Sequence, residues 1–164
     1  MIKISSFALL TASLNFPAPA ASPGTHYRYA VGSSAVSCLS RDGRRVRFVS
    51  NPALAGFGTA YTDSTGTPII ALNPRLLRDQ PERLATWVVQ HECSHHWLPA
   101  ALNTEARADC LAMRLTVRQR GRLSQSDLVA FRRTIARSSA KGGHLAGPAR
   151  YRLLLRCAGV PQPS

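Results

Sequence analysis

The sequence predicts an α+β domain. Two features of the 164-residue chain carry that expectation: strand-like segments separated by turn residues come first, and apolar residues at three- and four-residue spacing take over from Leu84 onward. No internal repeat or low-complexity tract points to another architecture.

The chain opens on Met1-Ile2-Lys3, a short basic start; Ile4 to Phe16 is apolar with small polar interruptions, and Ala18-Pro19-Ala20 has the form of an A-x-A cleavage site. Residues 1–20 therefore read as an export signal. The apolar run is about 13 residues long, whereas a spanning helix needs about 20. The expected location is periplasmic or secreted, with no transmembrane segment after cleavage. Residues 21–34 read as a flexible linker, 35–160 as one domain with one core, and 161–164 as a tail.

Within the domain, Val36–Ser40 and Arg44–Ser50 read as a hairpin around Asp42-Gly43, where glycine supplies a positive φ without a side-chain clash. Phe57–Thr62 and Pro68–Leu72 flank the turn-rich Asp63-Ser64-Thr65-Gly66 and read as a second hairpin. Asn73-Pro74 starts a short helical turn. A longer helix begins with Pro81 and Glu82, carries Leu84, Trp87, Val88, His91 and His95 on its periodic face, and is closed by Pro99. Asn103 or Thr104 caps the next, which ends near Gln119 with Arg118, Arg120 and Gly121. Another runs from Ser124, with Asp127 in the capping-box position, to about Arg137. Gly142 to Pro148 is a loop, and Ala149–Cys157 a last short helix.

Four cysteines fit an exported protein, in which disulfides persist. Cys93 and Cys110 lie on consecutive helices, so the expected bridges are Cys93–Cys110 and, by elimination, Cys38–Cys157. Net charge is +13, with 21 Lys and Arg against 8 acids. Such a balance suits an anionic envelope surface. The arginines are spread along the chain with no aromatic-interleaved patch, so no specific nucleic acid is expected. The acids are concentrated: Glu92, Glu105 and Asp109 fall within eighteen residues.

His91-Glu92-Cys93-Ser94-His95 reads H-E-x-x-H. On a helix, residues four apart share a face, so both imidazoles can reach one ion. Glu92 then lies beside the ion without binding it, where a carboxylate can take a proton from a metal-activated water. A catalytic zinc needs a third protein ligand. Glu105-Ala106-Arg107-Ala108-Asp109 supplies a candidate: across an antiparallel helix pair, Glu105 comes level with His95 and Asp109 level with His91. Glu105 would complete the metal shell, and Asp109 would fix the His91 ring through its free nitrogen.

With H-E-x-x-H and E-x-x-A-D in place, the chain from Ile69 to Cys157 resembles the gluzincin clan of zinc metallopeptidases, in particular the heat-shock membrane peptidase and CAAX prenyl protease family and its short soluble relatives. The resemblance implies a zincin-like fold, one zinc ion on His91, His95 and Glu105, Glu92 as general base, and peptide or unfolded protein as substrate. It also implies a downstream histidine with an arginine six residues later, a spacing His144 and Arg150 have; His144 would help stabilise the oxyanion. Leu145 stands where the family has proline. By the same resemblance Pro68–Leu72 would form the edge of the active-site sheet, able to bind an extended peptide. The alternative function is a zinc-stabilised binding or assembly protein of the envelope with little turnover.

Overall fold

The computed structural model describes residues 26–135 and 143–161. The export signal, the first residues of the linker, Gly142 and most of the tail lie outside the described residues. The fold is mixed α+β, with strands β1 Arg28–Val31, β2 Ser34–Ser37, β3 Arg47–Ser50, β4 Gly58–Thr62 and β5 Pro68–Leu72 preceding helices α1 Pro74–Arg78, α2 Glu82–Trp97, α3 Glu105–Arg120, α4 Gln125–Ile135 and α5 Gly147–Cys157. No helix among the described residues is long and apolar enough to cross a membrane.

Helix α2 is the axis of the domain. Its residues from Leu84 to Ser94 are all buried, between the sheet on one side and α3 and α4 on the other. It ends where Leu98 turns to extended backbone ahead of Pro99, and a short 3-10 turn, Ala100–Leu102, leads into α3. Thr104 caps α3, accepting from the Arg107 N–H, and Gly121 ends it at φ 76°. The capping box at Ser124 forms as its residues require, Asp127 accepting from the Ser124 N–H at 2.8 Å and Ser124 from the Asp127 N–H at 3.2 Å.

The sheets differ from the expectation in three places. Part of the expected linker is a strand, because Gly32 at φ 55° closes a tight hairpin that pairs β1 antiparallel with β2. The turn at Asp42-Gly43 does form, with Val46 N–H donating to Cys38 O, but its arms part after the Leu39 and Arg45 bridge. β3 then pairs in parallel with β5, which buries Phe48 beside Ile70 instead of leaving it on a two-stranded ribbon. The third difference decides where a ligand can lie: the order is β3-β5-β4, so Pro68–Leu72 is the central strand and β4 the edge. All five residues of β5 are buried, as a central strand demands. His96, on the last turn of α2, ties that helix to the sheet by an Nε2 contact with Ile69 O at 2.9 Å.

The disulfides are Cys38–Cys93 and Cys110–Cys157, which corrects the expected Cys93–Cys110 and Cys38–Cys157 pairing. The reason is helical phase. Asp109 faces α2, and the next residue is turned about 100° around the axis, which points Cys110 at α5. Two disulfides are the mark of an oxidising compartment. Mass mapping without reduction should recover these two bridges. Replacing Cys110 and Cys157 by serine should lower unfolding free energy by about 2–4 kcal/mol, measured in urea.

Candidate metal centre

The antiparallel α2 and α3 put His91 and His95 opposite Glu105, just past the connecting turn. His91 Nε2 and His95 Nε2 are 3.2 Å apart, and Glu105 Oε2 lies 3.0 Å from the first and 3.5 Å from the second. These spacings are those of ligands around one small ion: four donors about 2.0–2.1 Å from zinc in a tetrahedron are about 3.3 Å from one another. Glu105 Oε2 is buried and has no aligned hydrogen bond, so three ring nitrogens crowd an oxygen they do not satisfy. The donor set and its spacing fit a divalent metal.

Each histidine is held from behind. His91 Nδ1 is 2.9 Å from Asp109 Oδ1, and Arg150 grips both oxygens of that carboxylate through Nε and a terminal nitrogen, each at 2.7 Å. Trp87 packs against the His91 ring, points its Nε1–H toward Asp109 O at 3.4 Å, and lies under the Arg150 guanidinium. His95 Nδ1 is 2.7 Å from Asn103 Oδ1, while Asn103 Nδ2 donates to His95 O at 3.1 Å. Asn103 was legible in the sequence only as a helix cap. Thr104 takes the cap, which frees the Asn103 amide to orient a ring on the preceding helix.

Electrostatics sharpen the site. Burial opposes charge on His91, but Asp109 and Glu105 outweigh it and push the ring up to about 9 in the metal-free chain. Burial likewise opposes ionising Glu105 and Asp109, yet the histidines hold Glu105, and His91 with Arg150 holds Asp109, below the usual carboxylate range. Glu92 goes the other way. Burial pushes its carboxyl up against the pull of His91 and His95. It makes no hydrogen bond among the described residues and opens on the cleft lined by His91, His95, Asn103, Glu105 and His144. His144 reaches the cluster from the loop before α5, its Nδ1 3.0 Å from Glu105 Oε2; burial and Arg150 lower its pKa against the pull of Glu105.

Strand β4 forms the other wall. A Cβ on Gly58 would sit 2.8 Å from Leu72 Cδ2 and 3.0 Å from Glu92 Cγ, so glycine is what lets the strand lie this close to Glu92. Asn73 N–H donates to Phe57 O and Asp63 N–H to Thr67 O, which makes residues 57, 59, 61 and 63 the ones bonded to β5. The backbone groups of Gly58, Ala60 and Thr62 therefore point to the free edge. Beside Gly58 a recess of about 220 Å³ is lined by Phe57, Val88, Ile135 and Thr134 and reaches Glu92.

The structure thus brings Glu92, His91, His95, Glu105, Asp109, His144 and Arg150 into one cluster. Removing the Asp109 carboxylate with alanine leaves Arg150, 7% exposed, buried without its partner. That should cost about 3–5 kcal/mol of stability, read by urea unfolding in the presence of chelator. Compared with protein-family models, curated proteins and solved structures, the chain finds no match in any of the three.

Proposed function

We propose that the protein is an exported zinc endopeptidase of gluzincin type, with one zinc ion on His91, His95 and Glu105 and Glu92 as general base. One observation carries the reading: Glu92, buried and without a hydrogen-bond partner among the described residues, faces the same cleft as three converging ligand atoms, beside a strand edge that no described strand covers. A purely structural metal site has no use for that carboxylate. When bound, zinc supplies Lewis acidity, lowering the pKa of water to about 7 and polarising a carbonyl.

The remaining work falls to the chain itself. Glu92 accepts the proton of the attacking water and delivers it to the departing amine. Asp109 and Asn103 keep the Nε2 lone pairs of His91 and His95 aimed into the cleft. Arg150 holds Asp109 in place. An extended peptide adds to β4 through Gly58, Ala60 and Thr62, with one apolar side chain in the recess formed by Phe57, Val88 and Ile135. His144 has one N–H to offer the developing oxyanion once its ring turns away from Glu105. The two disulfides and the leader-like residues 1–20 support export to the periplasm or beyond.

Elemental analysis of purified protein should find one zinc per chain, and His95→Ala should abolish it. Glu92→Gln should keep zinc and fold while losing nearly all cleavage of an unstructured protein, because an amide cannot accept the proton. If both proteins bind zinc and neither cleaves, the alternative of a zinc-stabilised binding or assembly protein takes over. Gly58→Ala tests the wall: its methyl group should shift Glu92 or β4 and lower kcat by roughly 10²-fold with zinc retained.

A further inference from the structure

The turn between α2 and α3 carries an uncharged, partly apolar surface on this basic protein. From Trp97 to Thr104 the chain is Trp-Leu-Pro-Ala-Ala-Leu-Asn-Thr, without a charge. Trp97 is 58% exposed, Leu102 38%, and Ala100 and Ala101 are exposed between them. Leu39, 55% exposed, stands with Trp97 at the mouth of a groove of about 500 Å³ that continues past Leu111 and Leu115 between the two helices.

Arginines fringe this patch. Arg41, whose N–H donates to His96 O, stands beside the end of α2, and Arg107 occupies the first turn of α3. Arg114 and Arg118 follow Arg107 at seven and eleven residues, on the same exposed face of α3. None of the four has a carboxylate partner among the described residues, where the arginines paired to acids are Arg44, Arg47, Arg83, Arg120 and Arg150. The acids of α3, Glu105 and Asp109, turn toward the metal cluster, and Asp42 is engaged by Arg44 and Ser40.

We propose that this turn is an interfacial anchor that docks the protein on a bilayer with anionic headgroups. The arginine fringe supplies the charge complementarity. The uncharged tip decides between partners, because a soluble acidic polymer would pair with the arginines and leave Trp97, Leu102 and Leu39 in water, whereas a headgroup layer takes up both. Asn103 belongs to this turn and contacts His95 on the last turn of α2, so docking holds the cleft at the membrane surface. The inference stands apart from the peptidase reading, since binding needs neither zinc nor turnover.

Vesicles of phosphatidylglycerol or phosphatidylcholine, the former also with brominated acyl chains, test it on the full chain. Trp87 is 3% exposed, so Trp97 is the responsive fluorophore of the two tryptophans. Phosphatidylglycerol should shift Trp97 emission to the blue, and bromine should quench it. Cosedimentation should weaken by roughly tenfold or more in Trp97→Ala/Leu102→Ala. In Arg41→Gln/Arg107→Gln it should weaken by roughly fivefold for each arginine. Thermal melts show whether these surface variants stay folded. The proposal is overturned if the apolar variant sediments like the parent, if Trp97 emission does not shift, or if both lipids bind equally. Polyglutamate binding as tight as phosphatidylglycerol, with the same dependence on Trp97, would assign the face to an acidic polymer instead.

Discussion

The pair between Asp109 and Arg150 is the contact on which the centre of this domain depends. It joins α3 to α5, and the same carboxylate faces His91 on α2, so three helices meet at one group that is 1% exposed. A buried ion pair contributes little net stability, because desolvation offsets the attraction. Its value here is geometric. Two parallel hydrogen bonds leave the carboxylate one orientation, that orientation fixes the His91 ring, and Trp87 fills the space between ring and guanidinium. The Cys110–Cys157 bridge lies one residue beyond Asp109 on α3 and holds the same two helices covalently.

A second constraint is that α2 has no free face along its middle. His91, Glu92 and core residues share eleven consecutive buried positions, with Ser94 donating to Gln90 O within the helix. A helix so enclosed can carry two histidines and a glutamate at one place only if every neighbour is shaped to them. Gly58 is the clearest instance, a residue missing its side chain so that another chain segment can approach a carboxylate.

Much of this was legible in the sequence because it is local. Helical spacing sets His91 against His95 and Glu105 against Asp109, capping chemistry marks Thr104 and Ser124, and the second hairpin closes through its own turn residues. What escaped is what distant segments decide together. β3 leaves its hairpin partner because β5 offers a buried, parallel one, and that choice moves Pro68–Leu72 from edge to centre. The β1 and β2 ribbon hides in a stretch whose strand signals are only Tyr29 and Val31 before a Gly-Ser turn and Val36 after it. Asn103 acts through its amide on a helix already ended, a role invisible to any rule about the helix it precedes. Cysteine partners follow from helix phase as well as from which helices are neighbours.

The bridges also have an order. Cys38 joins Cys93 and Cys110 joins Cys157, so each thiol pairs with the next one along the chain and neither loop encloses the other. A polypeptide threading N-terminus first into oxidising surroundings meets its correct partners in the order of their arrival. The first loop can close around the strands and α2 before α3 has emerged. Consecutive pairing lets a chain that emerges N-terminus first close each bridge without undoing an earlier one.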